Sequence, residues 1–175
     1  MARAVAESFR KYLSMSDPLK YTIRKARLSD MENVFLLSND PVVRGQSIHP
    51  HRISWEEHVS WFSGKIKDPD YVFNVAFDIQ NKFIGQVRYE VQSESAVVSI
   101  SISHDFRGKG LALPLLKKTA TKIFRKRTNL RQILAYIKSE NAASSHSFIK
   151  AGYTYYQNEI INNEKYDIFI LMRPV

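Results

Sequence analysis

Two glycines one residue apart constrain the fold of this chain more than any other feature. Gly108 and Gly110 follow an alternating apolar segment, 95–103, and precede an amphipathic segment rich in Leu, Lys and Arg. Glycine lets the backbone turn sharply and lie close to a ligand, and the first N–H groups of a helix attract anions. The pattern predicts a strand, a tight loop and a helix, with a diphosphate on the loop amides. A plain strand-to-helix turn that binds nothing is the competing interpretation.

The charge around this loop supports an anionic ligand. Residues 107–131 contain nine Lys or Arg and no Asp or Glu, which equals the net charge of +9 for the whole chain. Two classes of partner fit such a basic helix: the phosphates of a nucleotide cofactor and the backbone of a nucleic acid. Charge alone does not choose between them.

Composition excludes several classes of site. The chain has 175 residues, an ordinary size for one domain, and it has no cysteine, which excludes disulfides, thiolate nucleophiles and cysteine-based zinc sites. We expect no metal site.

No apolar run is long enough for a membrane span or a signal-peptide core, so we expect a cytoplasmic protein with no membrane partner. Residues 1–20 are expected to form a tail or packing arm, and residues 21–175 a single domain.

The hydrophobic periodicity alternates between two and about 3.6, which indicates a mixed α+β fold with helices on both faces of a sheet. Because Pro114 lacks a backbone donor, the basic helix must begin close to Gly110 or bend. A dinucleotide-binding domain is disfavoured, since its glycine loop follows the first strand. Strands are predicted at 21–25, 71–78, 82–91, 95–103, 131–137, 153–157 and 165–172, and further helices at 30–37, 54–66 and 141–151.

Two spaced motifs resemble the Gcn5-related N-acetyltransferase (GNAT) superfamily. Residues 107–112 match its pyrophosphate-loop pattern of Gln or Arg, two residues, Gly, one residue, and Gly or Ala. The resemblance extends over residues 21–172 and implies a mostly antiparallel sheet of six or seven strands. About thirty residues after the loop, the second motif of the superfamily is matched by Asn141, Ser144, Phe148, Lys150, Gly152 and Tyr153.

The resemblance implies acetyl-CoA as co-substrate, bound in the opening between the strands that end at Ser103 and Lys138. Its diphosphate would lie on the loop amides, and a backbone N–H near Ile102 would polarise the thioester carbonyl. Asn141 would bind the pantetheine region, although a helix N-cap explains that residue equally well. The implied cofactor-binding residues are Ile102, Arg107, Gly108, Lys109, Gly110, Leu111, Ala112, Asn141, Ser144 and Phe148.

One position departs from the family pattern. Many members carry a tyrosine where this chain has Phe148, and the tyrosine hydroxyl protonates the departing thiolate. Phenylalanine has no proton to donate. The thiolate would then leave assisted only by solvent, or the proton would come from Tyr136, His146 or Tyr153.

The first half of the chain resembles the GNAT subgroup that acetylates amino sugars on nucleotides. The similarity lies in residues 39–44, 54–62 and 85–88. It implies an acceptor such as the pseudaminic-acid pathway intermediate UDP-4-amino-4,6-dideoxy-N-acetyl-β-L-altrosamine. Arginines would contact the diphosphate and a tryptophan would stack on a base or sugar, whereas surface charges and a core tryptophan are the plainer interpretation. The implied substrate-binding residues are Asn39, Arg44, Trp61 and Arg88.

Three side chains are candidate catalytic bases for the attacking amine: His58, Glu90 and Glu140. His58 lies one turn after Trp55 beside an apolar stripe, so a packed core histidine competes with a base. The two glutamates lie near predicted strand ends and could act through a water molecule.

Two alternatives to the amino-sugar enzyme stay open. A GNAT enzyme could act on another amine, such as a ribosomal-protein N-terminus, an aminoglycoside or a polyamine. Those cationic substrates call for an acidic pocket, whereas Arg44, Arg52 and Arg88 favour an anion. A non-catalytic nucleic-acid-binding module is less favoured, because it gives no reason for two acetyltransferase motifs. We therefore expect a small-molecule amine as partner and no nucleic acid, and a homodimer is left open.

Overall fold

The computed structural model describes residues 20–174, and a single mixed sheet extends through this part of the chain. Its strands are β1 (Tyr21–Lys25), β2 (Tyr71–Asp78), β3 (Phe83–Gln92), β4 (Ser95–Ile102), β5 (Gln132–Lys138), β6 (Thr154–Ile161) and β7 (Glu164–Met172). The α-helices of the described residues are α1 (Met31–Ser38), α2 (Pro41–Gly45), α3 (Trp55–Lys65), α4 (Ala112–Lys126) and α5 (Ala142–Lys150). The tail predicted for residues 1–20 lies outside the described residues, apart from Lys20.

The strand order is β1-β2-β3-β4-β5-β7-β6, and only the β4–β5 pair is parallel within residues 20–174. The mixed α+β class with a mostly antiparallel sheet is confirmed, with seven strands. β4 and β5 pair only from Ser95 to Val97 and from Gln132 to Leu134. Beyond Val97 the pairing stops, which leaves an opening that we call the β4–β5 gap. It coincides with the opening predicted for the cofactor.

Each face of the sheet carries its own apolar core, because side chains alternate between faces along a strand. On one face, Leu115 and Ile123 of α4 and Phe148 of α5 pack with strand residues such as Val98 and Ile133. On the other face, Val34 of α1 and Phe62 of α3 pack with β2 residues such as Phe73. The predicted placement of helices on both faces is therefore confirmed.

The structure differs from the predicted elements in two places. The segment after Asn39 was expected to be a loop, but it contains helix α2, because Asp40 accepts hydrogen bonds from Val42 N (2.9 Å) and Val43 N (3.2 Å) and Pro41 occupies the first helical turn. Strand β6 continues to Ile161, four residues past the predicted end. Its side chains are nearly all exposed, so no apolar alternation marks it in the sequence.

Pro114 does not bend the basic helix. Helix α4 begins at Ala112, so Pro114 lies in its first turn, where its missing N–H would have no intrahelical partner. The helix therefore begins close to Gly110, which is the first of the two outcomes that the sequence allows.

Candidate functional site

Residues 107–112, which we call the phosphate loop, present a row of free backbone donors. Gly108 and Gly110 have φ angles of 72° and 71°, in the left-handed region that favours glycine. A Cβ atom at either position would meet nothing within 4 Å, so backbone conformation rather than crowding requires glycine there. Within residues 20–174, none of the N–H groups of residues 108–113 donates a hydrogen bond. The loop and the start of α4 therefore form a site suited to a phosphate group.

Most of the cations of residues 107–131 lie along helix α4, which follows the loop. Among the nine Lys and Arg of residues 107–131, Arg107, Arg127 and Arg131 form ion pairs with carboxylates. Within the described residues the other six form none, so their charge is available to an anion. These six are Lys109, Lys117, Lys118, Lys122, Arg125 and Lys126.

The side chain of Arg107 turns away from the loop amides. Its Nε donates to the carbonyl oxygen of Ile102 at 2.9 Å, and its guanidinium pairs with Asp40, with 2.8 Å between Nη2 and Oδ1. Arg107 thus joins the phosphate loop to the end of β4 and to the start of α2. Its predicted contact with a phosphate would compete with these two bonds.

The edge of β4 presents backbone groups to the β4–β5 gap. Ser103 N donates to Ile84 O on β3 at 2.8 Å, and the backbone groups of successive residues in an antiparallel strand point to opposite sides. The N–H groups of Ile100 and Ile102 therefore point away from β3, into the gap. The Ile102 N–H thus points into the gap, and its implied contact with the thioester carbonyl stays a prediction.

Helix α5 borders the same gap. Asn141 Oδ1 accepts a hydrogen bond from Ser144 N at 3.1 Å, so Asn141 is the N-cap of α5, and both residues also line the cavity described next. Phe148 is 3% exposed and packs edge-on against Tyr153, with 4.9 Å between ring centroids. The two interpretations of Asn141, cap and ligand contact, are compatible in this geometry.

A cavity of about 820 Å³, which we call the central pocket, adjoins the β4–β5 gap. Its floor is the sheet face formed by β3, β4 and β5, and its roof is formed by α2, the segment 46–53 and α3. Its volume lies within the range of small-molecule sites. The floor contributes Gln86, Arg88, Glu90, Ser99, Ser101 and Tyr136.

Three arginines line this pocket without an ion pair among residues 20–174: Arg44, Arg52 and Arg88. Arg88 Nε donates to Ser99 Oγ at 3.0 Å, and its guanidinium lies 5.4 Å from the ring centre of Trp61. The pKa of Arg44 is lowered by burial and by the positive charge of Arg88. The two guanidinium groups therefore repel each other across the pocket, and a bound anion would relieve that repulsion.

Arg44 also builds the pocket roof. Its Nη1 donates to His49 O (3.0 Å) and His51 O (3.1 Å), and its Nη2 donates to Ser47 Oγ (3.0 Å). These bonds hold the segment 46–53 over the floor. The terminal nitrogens of Arg44 are thus occupied, whereas those of Arg88 donate no hydrogen bond within residues 20–174.

His58 lies in the pocket wall as a neutral imidazole. It is 1% exposed and packs among the rings of Phe35, Trp55, Trp61 and Phe62. Its Nε2 lies 2.9 Å from Met31 O and donates to it, so Nδ1 carries a lone pair, and Nδ1 has no partner among the described residues. Burial lowers the pKa of His58, the Met31 carbonyl opposes this, and the charge of Arg88 lowers the pKa further. His58 is therefore a packed core histidine that keeps one free acceptor nitrogen among the described residues, and its role as a base stays a prediction.

The other predicted substrate and catalytic residues are dispersed. Glu90 lines the pocket and pairs with Lys65, with 3.3 Å between Oε1 and Nζ. Glu140 is exposed in the turn after β5 and does not line the pocket. Asn39 is also outside the lining, because its amide group exchanges two hydrogen bonds with the backbone of Ile53.

The three candidate proton donors for a thiolate occupy different surroundings. Tyr136 lines the central pocket. His146 is exposed on α5 and outside the lining. Tyr153 is buried outside the lining, its hydroxyl has no partner among residues 20–174, and burial raises its pKa. Tyr136 is therefore the one of the three that a ligand in the pocket can reach.

Sequence reasoning did not single out Gln86 as a site residue. Gln86 is 1% exposed, lines the central pocket and has no partner for its amide oxygen or nitrogen within the described residues. Two signals were available in the sequence: its place in the segment 85–88, which resembles the amino-sugar subgroup, and a long polar side chain inside the strand Phe83–Gln92. Within residues 20–174 there is no cluster of three or more His, Asp or Glu that could hold a metal ion. Nor is any helix of this part long and apolar enough to cross a membrane.

Comparisons with known proteins agree with this geometry. Residues 20–154 match the family model described as Acetyltransferase (GNAT) domain. A search of curated protein sequences gives no match. The solved spermidine N-acetyltransferase of Vibrio cholerae, in complex with CoA and spermine, matches with a TM-score of 0.79 and 22% identity, covering 87% of this chain and 95% of that chain. A dodecameric structure of that enzyme gives a TM-score of 0.73 and 22% identity, covering 87% and 94%.

A further solved structure, described as a candidate phosphinothricin N-acetyltransferase, matches with a TM-score of 0.71 and 25% identity. The match covers 88% of this chain and 98% of that chain. These structures share the fold of this chain over almost their whole length.

Proposed function

Because the chain belongs to the GNAT acetyltransferase family and is an N-acetyltransferase, as its two motifs predict, we propose that it acetylates the primary amine of an anionic small molecule. A nucleotide-linked amino sugar is the class that fits the pocket best. The acetyl donor is acetyl-CoA, which supplies an activated thioester carbon for attack by the amine nitrogen.

The observation that carries this proposal is the unpaired positive charge in the central pocket. Arg88 and Arg44 repel each other and form no ion pair within residues 20–174, and Arg52 adds a third charge at the rim. Of the two carboxylates in the lining, Glu90 is paired with Lys65, and Glu57 bonds to the backbone N–H of Ser54 at the start of α3. A diphosphate bound by Arg88 would compensate the excess of charge.

The acetyl donor fits the phosphate loop and the β4–β5 gap. The free N–H groups of residues 108–113 would hold the diphosphate, and Lys109 with the neighbouring α4 lysines would add charge. The Ile102 N–H would donate to the carbonyl that undergoes attack, where preorganised donors contribute most to acyl transfer. Asn141 would donate its amide hydrogens to the pantetheine region while its oxygen caps α5.

His58 and Tyr136 would move the protons of the reaction. As the C–N bond forms and the C–S bond breaks, the amine loses a proton and the thiolate gains one. The Nδ1 atom of His58 has a free lone pair, so it would accept the amine proton directly or through a water molecule. Tyr136 would donate to the thiolate in place of the tyrosine that Phe148 replaces. An amino-sugar amine is less basic than lysine, so a weak base is sufficient.

Similarity to the spermidine N-acetyltransferase favours a second candidate function, a polyamine N-acetyltransferase, which is the alternative that the sequence left open. A polyamine would use Glu90 and Glu57 as its charge partners, and Glu90 would have to leave Lys65. The structural comparison favours this candidate, whereas the pocket arginines favour the anionic acceptor. A homodimer stays a prediction.

One assay separates the two candidates. Purified protein is incubated with acetyl-CoA, and thiol release is followed with UDP-linked 4-amino sugars, spermidine, an aminoglycoside and a basic peptide. We expect turnover with the UDP-linked amino sugars. Turnover with spermidine and none with the sugars would overturn the anionic acceptor and establish the polyamine candidate.

A further inference from the structure

We propose that Gln86 is a specificity-determining residue that binds the acceptor amine and orients it for attack. This inference rests on the central pocket being the acceptor pocket and does not depend on the charge of the acceptor. It concerns a neutral side chain in the pocket floor, for which the acetyltransferase motifs provide no role.

The first observation is an unsatisfied amide in a buried position. Gln86 is 1% exposed, and both Oε1 and Nε2 lack a partner among residues 20–174. A buried amide has the capacity for four hydrogen bonds, and leaving a buried polar group unpaired is costly. Methionine has nearly the same size and would avoid that cost. A glutamine at this position therefore points to a ligand that supplies the missing partners.

A second buried amide in the same sheet provides a contrast. Asn74 on β2 is 3% exposed, but its Nδ2 donates to the carbonyl oxygen of Val87 at 3.4 Å and it does not line the pocket. Its amide group thus has a partner within the protein. Gln86 lies on the neighbouring strand, faces the pocket and has none. Both amides are buried, so the lack of partners at Gln86 goes with its place in the pocket lining and not with burial itself.

The position of Gln86 along the sheet places it near the reacting atoms. Gln86 pairs with Ser101 on β4, between Ile100 and Ile102, whose N–H groups point into the β4–β5 gap. Arg88 follows two residues later on the same face and pairs with Ser99. An acceptor lying on this face of the pocket would therefore pass Gln86 on its way to the gap. Oε1 of Gln86 would accept a hydrogen bond from the amine, and Nε2 would donate to a neighbouring hydroxyl or carbonyl of the acceptor.

Gly85 fixes this arrangement. A Cβ atom at Gly85 would lie 2.2 Å from Ser101 O, so only glycine allows β3 to approach β4 this closely. The next residue, Gln86, is held directly opposite Ser101 as a result. The side chain is thus positioned by the backbone even though its amide group forms no bond within residues 20–174.

The test is the Gln86→Met variant, with Asn74→Leu as the matched control. Kinetics use the amine with the greatest turnover in the panel above, whatever its charge. For Q86M we expect a melting temperature about 2–6 °C higher without ligand, because an unpaired amide is removed. We also expect the kcat/KM for the amine to fall at least about 10-fold and the KM for acetyl-CoA to change less than about 2-fold.

The control should behave in the opposite way. N74L removes a paired amide, so its melting temperature should fall while the KM for the amine stays unchanged. An unchanged kcat/KM for the amine in Q86M, or an equal loss for acetyl-CoA, would overturn the role of Gln86. Should Q86M fail to fold, Gln86→Asn, which keeps the amide on a shorter side chain, decides the question by its KM for the amine.

The result is independent of the proposed anionic acceptor. If spermidine is the amine that reacts, the anionic acceptor is wrong, and the same kinetic comparison made with spermidine still decides whether Gln86 binds the amine.

Discussion

The phosphate loop and the central pocket are built by opposite means. The loop offers backbone N–H groups of consecutive residues, whose direction is set by two glycines and the start of α4. The pocket offers side chains from α2, α3, β3, β4 and β5, which the fold brings together from distant parts of the chain. A site made of backbone N–H groups tolerates most substitutions that keep the backbone conformation. In a site made of side chains, one substitution can change which ligand is bound.

This difference separates the requirements for the acetyl donor from those for the acceptor. The loop requires only a local conformation, so a short pattern such as residues 107–112 preserves it. The pocket charge depends on individual residues such as Arg44 and Arg88. Variants in the two regions should therefore affect different kinetic parameters, and the following predictions test that separation from the largest expected effect to the smallest.

Replacement of Arg88 should have the largest effect. Arg88→Ala removes a pocket arginine that forms no ion pair and whose terminal nitrogens donate no hydrogen bond within residues 20–174, so the kcat/KM for an anionic acceptor should fall about 100-fold, or about 2.7 kcal/mol. The KM for acetyl-CoA should stay within about 2-fold. Steady-state kinetics with each substrate varied in turn measure both values.

The matched control is Arg131→Ala, because Arg131 is an exposed arginine paired with Glu94 outside both regions. We expect unchanged kinetics for this variant. A loss for acetyl-CoA as large as that for the acceptor in R88A would show that the two regions are not separable.

Replacement of a loop glycine should have the next largest effect and the opposite selectivity. Gly110→Val forces a branched side chain into a φ angle of 71°, which shifts the loop amides, so the KM for acetyl-CoA should rise about 10-fold while the KM for the acceptor changes little. Isothermal titration with CoA measures the same loss directly.

Gly64→Ala is the control for this substitution. Gly64 lies in helix α3, where a Cβ atom would meet nothing within 4 Å, so alanine should raise the free energy of unfolding by about 0.5–1 kcal/mol and leave CoA binding unchanged. Normal CoA affinity in G110V would mean that the donor is held by side chains instead of the loop amides.

The same contrast decides how much of the molecule can be predicted from its sequence. The loop, α4 and the neighbouring strands depend on local patterns, and the structure has them within a few residues of the predicted bounds. The pocket depends on tertiary placement. Asn39 and Arg44 belong to the same predicted segment, yet Asn39 bonds to Ile53 outside the lining while Arg44 forms the roof.

Gln86 shows why local patterns fall short in the pocket. In the sequence Gln86 is one of four polar residues, with Arg88, Glu90 and Gln92, that alternate with apolar residues along Phe83–Gln92. Gln86 is a candidate site residue because its amide group has no hydrogen-bond partner among the described residues. That depends on the register between β3 and β4 and on the position of the pocket roof. Neither quantity is encoded within a few residues of Gln86.

A smaller effect is expected for the pH dependence of stability. Because burial lowers the pKa of His58 in the folded protein, the unfolded chain binds a proton near its ordinary pKa of about 6.5 while the folded protein does not. Neutral His58 therefore makes its full contribution to the free energy of unfolding above about pH 6.5. As the pH falls below about 6.5 this contribution is lost, by at most about 1.4 kcal/mol per pH unit.

Urea unfolding of wild type and His58→Gln at pH 7.5 and pH 5.5 measures this loss. The wild type should lose more stability than H58Q on acidification, because glutamine does not titrate. Equal losses in the two proteins would mean that His58 titrates normally in the folded state. The variant should also lower kcat, since the proton acceptor of the pocket is gone.

The smallest effect should come from the exposed cations near the loop. Exposed charges are screened by salt, so raising NaCl from about 50 mM to about 500 mM should raise the KM for acetyl-CoA by about 2- to 5-fold. Lys109→Ala should raise the KM at low salt and reduce this dependence, because Lys109 is an exposed loop cation without an ion pair in residues 20–174. An identical salt dependence in wild type and K109A would exclude Lys109 from the electrostatic part of donor binding.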